Sequence, residues 1–310
     1  SGGSVSLFGI KASSASGYEC VMHNNSVGFT TAQLINNASG TSSRVIGMYS
    51  QHGASLISYN TVTNLTMTAA NIGTGSFSSV IGIWSDNLNA SLENSVSQNT
   101  VNTLSNSNAV ADVWVTGIHY RGSGVYSGFV ERNFLHSFSM SSSSSAATMN
   151  GIYVQGGIAV YQNNMISLGI DASGSSLFTA GVAINGIIES SGTDNFYFNS
   201  LYIGGTNATG SGNSYAFLSY VTGNSRNFRN NIFYNGRSNG SGTGKHYAVR
   251  VGGTGVNPSG LTINNNIYLA NGTGGVFGFY NGADVANLAA WKSAVGQDVG
   301  SFESDPQFIN

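Results

Sequence analysis

Charge is the scarcest property of this sequence: 10 Lys and Arg and 12 Asp and Glu among 310 residues, a net of −2 with histidines neutral. Globular domains typically carry about a quarter charged residues. With so few, there is no basic patch to hold a polyanion, which excludes nucleic acid and an anionic membrane surface as partners. Only two prolines occur, Pro258 and Pro306; with 40% apolar residues, 16 Phe and 15 Tyr to bury, the chain is not a disordered one. The lone Cys20 excludes an internal disulfide and a thiolate metal site, and reads as a small apolar side chain. Nothing else in the sequence requires a metal or a cofactor. No apolar run is long enough to span a bilayer, so no membrane insertion is expected. The opening Ser1-Gly2-Gly3-Ser4 is neither a start Met nor a signal peptide, which suggests a processed chain or a fragment.

What the chain does have is turn formers: Gly, Asn and Ser occupy 128 of the 310 positions. They are not scattered. An Asn, any residue, then an aliphatic residue recurs, with the Asn at Asn25, Asn60, Asn99, Asn133, Asn163, Asn199, Asn230 and Asn265, at intervals of 30 to 39 residues. Upstream of each lies a small residue followed by an apolar one: Gly9-Ile10, Gly47-Met48, Gly82-Ile83, Gly117-Ile118 and Gly151-Ile152, weakening to Ala183-Ile184 or Gly186-Ile187, Ala216-Phe217, Ala248-Val249 and Gly278-Phe279. Two marks in constant order define one repeated unit. Segments such as Val80–Trp84 and Gly151–Val154 are short, β-branched and aromatic, and bounded by Gly, Asn and Ser, so they read as strands. Nothing before residue 284 has the apolar spacing of a helix. A helix-free repeat of this length holding two or three strands predicts an all-β, parallel β-helix of about eight to nine coils, stacked at about 4.8 Å. In that fold the recurrent Asn has two uses: it tolerates a left-handed turn, and its amide can bond the equivalent amide one coil on.

On these repeats, and on the ending Leu288, Trp291, Gly296, Asp298, Ser301, Asp305-Pro306 and Phe308, the sequence resembles the right-handed parallel β-helix proteins of the pectin-lyase-like superfamily, over essentially its whole length. The resemblance implies one right-handed solenoid domain over 1–310, with 284–310 as its closing segment. It also implies a secreted or cell-surface bacterial origin, with the chain a fragment of a larger surface protein. It does not select an activity, since the superfamily holds lyases, hydrolases, epimerases, phage spikes and adhesins.

Enzymes of this fold draw catalytic groups from the same phase of adjacent coils. Placed against their nearest ladder Asn, the twelve acids offer no clear carboxylate pair in adjacent coils, as glycoside hydrolysis would need. Nothing resembles a calcium-binding acidic cluster. One coil is richer in titratable groups. There His119 with Arg121, or Tyr153 with Arg121, could supply the base and cation of a polysaccharide lyase, although a surface ion-pair cluster explains the same residues. A second feature is a column two places after the small residue of each repeat: Lys11, Tyr49, Trp84, His119 and Tyr153. If the residue before each of these faces the core, alternation turns the column outward, bordered by a glycine strip on the same outer face. Tyr49, Trp84, His119 and Tyr153 would then form a floor for a neutral polysaccharide, unless a long loop covers them. The leading functional expectation is a non-enzymatic stalk or adhesin-like module, extracellular or on the cell surface, contacting polysaccharide or another surface protein. A polysaccharide lyase and a self-associating filament or sheath subunit are the alternatives, the latter because an uncharged surface does little to prevent association.

Overall fold

The computed structural model describes residues 3–29, 31, 33–171, 173–177 and 181–308. Each coil contributes strands to three faces. Face one is built from the first part of Arg44–Ser58, then Val80–Asp86, Trp114–Arg121, Thr148–Gly156, Ala183–Glu189, Ser214–Ser219, His246–Arg250 and Gly275–Tyr280. Face two continues the same 16-stranded sheet round a corner, through the end of Arg44–Ser58, Ser95–Ser97, Gly128–Glu131, Ile158–Gln162, Thr193–Tyr197, Arg226–Arg229 and Leu261–Asn264. Face three is an 11-stranded sheet that includes Thr61–Met67, Thr100–Asn106, Phe134–His136, Met165–Leu168, Ser200–Ile203, Ile232–Asn235 and Ile267–Ala270. Strands pair in parallel with their counterparts one coil on, as in Val80↔Val115 and Leu135↔Ile166. The result is a parallel β-solenoid of about eight turns. Its first edge is the 18-residue strand Ser6–His23, which among the described residues pairs only with Arg44–Ser58.

The far end is closed differently. Gly275–Tyr280 pairs antiparallel with Ala283–Val285, and the helix Leu288–Val295 follows. Asn287 caps that helix by accepting the Ala290 N–H at 2.9 Å, and Gly296 ends it at φ 73°, a conformation that costs glycine little. The helix buries Trp291 and Val295 over the last coils. The Trp291 indole N–H and the Tyr268 hydroxyl both donate to Asp298 Oδ2, at 2.8 and 2.6 Å. The apolar core thus ends under a satisfied polar lid.

Between faces two and three runs a continuous amide ladder. After the first, each ladder Asn accepts, at its Oδ1, the backbone N–H and the Nδ2–H of the Asn one coil earlier; Asn99 donates to Asn133 Oδ1 at 3.0 and 3.0 Å. Its own second Nδ2–H goes to a backbone carbonyl, as Asn133 Nδ2 does to Val96 O at 2.8 Å. The ladder runs through Asn25, Asn60, Asn99, Asn133, Asn164, Asn199, Asn231 and Asn266, and ends on Ser301 Oγ. Three expected members are therefore displaced by one residue. Asn163, Asn230 and Asn265 sit in the left-handed turn just before the ladder, at φ 54°, 58° and 59°. That turn position is filled elsewhere by Tyr59, Gln98, Arg132 and Phe198, so the left-handed conformation is not what requires asparagine. The requirement is a buried amide with two donors and an acceptor that takes two hydrogen bonds. Where two asparagines stand together, a sequence motif cannot tell which one turns and which one bonds.

The repeated glycines are also reassigned. They do not lie on the outer face: a Cβ at Gly47 would sit 2.4 Å from Val62 Cγ1, at Gly82 2.5 Å from Val101 Cγ1, and at Gly117 2.6 Å from Leu135 Cδ2. Faces one and three approach here so closely that the core has no room for a methyl group. The residue after each glycine, Met48, Ile83, Ile118 or Ile152, is fully buried in the core as expected.

Candidate functional site

The outward column on face one is real and longer than its sequence signature. In register it runs Lys11, Tyr49, Trp84, His119, Tyr153, Ile188, Leu218, Arg250 and Phe279. Its first half is not open to solvent. The connection between Thr61–Met67 and Val80–Asp86 folds over it, with a short 3-10 turn at Gly75–Phe77. A Cβ at Gly75 would sit 3.4 Å from the Tyr153 hydroxyl. Arg44 donates to Ser76 O at 2.8 Å and stacks its guanidinium over Trp84 and Phe77, at 5.4 and 5.8 Å from the ring centroids. Under this cover Tyr49 and Trp84 stack at 4.1 Å and are 7% and 6% exposed, while His119 is 0% exposed. The proposed floor of Tyr49, Trp84 and His119 is a second small core with Ile46 and Ile81, and only Tyr153 stays half-buried at its margin. Strand alternation gave the direction of these side chains correctly. The connection at 68–79, which is not part of the repeat, removed their access.

The same cover changes the candidate catalytic groups. Burial lowers the His119 pKa to about 4, so the ring is neutral, and its Nε2 lies 2.8 Å from Gln155 Oε1. Arg121 is paired with Asp86 on the preceding coil at 2.5 Å. His119, Arg121 and Tyr153 therefore present no solvent-facing base beside a free cation.

Past the loop, face one opens into a groove of about 320 Å³ lined by Trp114, Thr148, Asn185, Ile188, Tyr215 and Tyr220. Trp114 meets Tyr153 edge-on at 6.0 Å, and Tyr215 lies flat on Tyr247 at 4.9 Å, so two walls are rigid aromatic surfaces. The Asn185 amide donates to Asn150 Oδ1 at 2.8 Å, a short outer amide pair in the groove floor. At the rim, the Arg250 guanidinium stacks on Tyr220 and Phe279, at 4.7 and 4.9 Å from the ring centroids. Among the described residues no carboxylate pairs with Arg250; the nearby Asp284 is held by Lys245 and by the Tyr247 hydroxyl. A planar cation held by aromatic rings and left unpaired beside a neutral groove is suited to bind a carboxylate on a ring-shaped ligand. Sequence reasoning missed this site because the column's later members, Ile188, Leu218 and Arg250, break the aromatic pattern. The register between coils would have found it.

One buried acid pair was also missed. Glu189 and Asp194 flank the corner between faces one and two on the same coil, so a search of adjacent coils passes over them. Both are buried. Glu189 accepts from the Ser219 hydroxyl, and Asp194 Oδ1 accepts the Ala159 N–H at 3.0 Å. Desolvation raises both carboxyls, Asp194 further by the neighbouring Glu189 charge. Closed off from solvent, the pair is a structural element of the corner, not a hydrolytic dyad. Comparison with protein-family models, with curated proteins and with solved structures finds no match for this chain.

Proposed function

We propose that the chain is a non-catalytic, carbohydrate-contacting β-solenoid module of the pectin-lyase-like kind, belonging to an extracellular or cell-surface protein and acting as a stalk or adhesin. The observation that carries this reading is the face-one groove walled by Trp114, Tyr215 and Tyr220, with the Arg250 guanidinium over the Tyr215 and Tyr220 rings. Such a groove recognises a sugar ring by its flat faces and an acidic sugar by its carboxylate. The sealing of His119 and the pairing of Arg121 with Asp86 weigh against the lyase alternative. The helix over the far end weighs against an open filament, which needs two adhesive ends.

Titration of the full chain with polygalacturonate tests this. Stacking contacts worth about 1 kcal/mol each place the affinity in the high micromolar to millimolar range. Arg250→Ala should weaken it by about tenfold, in line with the loss of one charge-assisted contact, and Trp114→Ala should weaken it too. No binding, or binding indifferent to Arg250, refutes the proposal. A rise in ultraviolet absorbance from unsaturated uronate, abolished by His119→Ala, would restore the lyase reading.

A further inference from the structure

Face three carries its own groove, on the opposite side of the core from face one. Its volume is about 500 Å³, within the range of small-ligand sites, roughly 300–1,000 Å³. The hollow has a simple origin. Two outward rows cross this face in register: Phe134, Met165, Ser200, Ile232, and His136, Ser167, Tyr202, Tyr234. The small Ser167 and Ser200 fall diagonally between the larger side chains, so the surface dips there and leaves two hydroxyls in the floor.

The walls of this dip are rigid and apolar. Phe134 stacks on His136 at 4.4 Å and is 38% exposed, and Met165 is 53% exposed. On the other side Tyr202 and Tyr234 meet at 4.9 Å, and Phe308 stands over both at 6.3 and 6.2 Å. The segment that brings Phe308 also lines the groove with Asp305 and Gln307. Among the described residues Asp305 is the only charged one in the lining, which holds no Lys or Arg.

We infer that this groove is a second carbohydrate site, specific for neutral sugar. Flat aromatic edges take the apolar face of a sugar ring, while a carboxylate, a primary amide and two serine hydroxyls offer acceptors and donors to its hydroxyl groups. A lone carboxylate repels uronates and sulfated sugars, which separates this ligand class from the acidic one proposed for face one. The site does not depend on that proposal, and its residues are not shared with it. Together the two faces would let one solenoid hold two kinds of polysaccharide chain.

Met165 supplies a direct readout, because the other five methionines, Met22, Met48, Met67, Met140 and Met149, are buried in the core. In the full chain with labelled methionine methyls, cellohexaose or mannohexaose should shift the Met165 methyl saturably and leave the buried five in place. Asp305→Asn, Gln307→Ala and Tyr202→Ser should each weaken the shift severalfold, while Arg250→Ala leaves it unchanged. The first two are surface changes that do not threaten the fold, so the test stands even if Tyr202→Ser misfolds. A Met165 methyl unmoved by either sugar at tens of millimolar overturns the inference. So does one that responds to phenol but to neither sugar, which marks an apolar docking surface, and so does an equal response to polygalacturonate.

Discussion

Replacing Asn133 with Leu separates the amide ladder from the turn beside it. In the native chain the Asn133 side chain takes part in four hydrogen bonds: it accepts from Asn99 N and Nδ2, and donates to Val96 O and to Asn164 Oδ1. All four lie in the buried interior, where water cannot replace them. At about 1 kcal/mol net for each, their loss costs about 4 kcal/mol, offset by roughly 1 kcal/mol for the apolar surface that leucine adds. The expected destabilisation is thus about 3 kcal/mol. Asn163→Leu is the control. Asn163 occupies the left-handed turn at φ 54°, where the equivalent residues are Tyr59, Gln98, Arg132 and Phe198, so its replacement should cost less than about 1 kcal/mol. Urea unfolding of both variants, followed by circular dichroism, gives the comparison. Amide exchange at Asn99 locates the damage, since its N–H loses its acceptor only in the first variant. Because Asn99 and Asn133 share two bonds, the double replacement should cost less than the sum of the single ones. Equal midpoints for Asn133→Leu and Asn163→Leu, or a cost below about 1 kcal/mol for the former, would refute the account of why asparagine recurs.

Two further outcomes follow from the buried groups. Trp84→Ala should destabilise the chain by about 3–5 kcal/mol, as expected for a buried indole; a melt that barely moves would mean that Trp84 is exposed after all. Stability should decline as pH rises above the ordinary histidine value, about 6.5. Glu189 and Asp194 have pKa values raised by folding, so their contribution is complete below the unfolded carboxyl values, about 4, and is lost as pH rises through the folded ones. His119 and His246 are lowered to about 4 by burial, so their contribution is present above the ordinary histidine value and is lost as pH falls toward 4. Between about pH 4 and 6.5 the two effects oppose each other, so urea midpoints should change little there and fall above it as the folded carboxyls ionise. In Glu189→Gln the alkaline decline should flatten, and a variant that keeps the full decline would count against the burial of this acid pair as its cause.

The architecture was legible in the sequence because a solenoid writes its core once per coil. The spacing of Asn60, Asn99 and Asn133, and the apolar residues after Gly47, Gly82 and Gly117, reflect contacts between neighbouring coils, which repeat as the chain does. Strand alternation likewise gave the outward direction of Tyr49, Trp84 and His119. Two things were decided only by tertiary structure. The first is burial on the outer face: the loop at 68–79 is not periodic, and where it folds depends on Arg44, Trp84 and Tyr153, contributed by three different coils. The second is the pair of grooves. Each arises where residues of adjacent coils differ, Ser167 and Ser200 among larger neighbours on face three, Arg250 after Leu218 on face one. A repeat specifies what every coil shares, so it identifies the scaffold; a binding surface is a departure from the repeat, and becomes visible only when the coils are stacked in register.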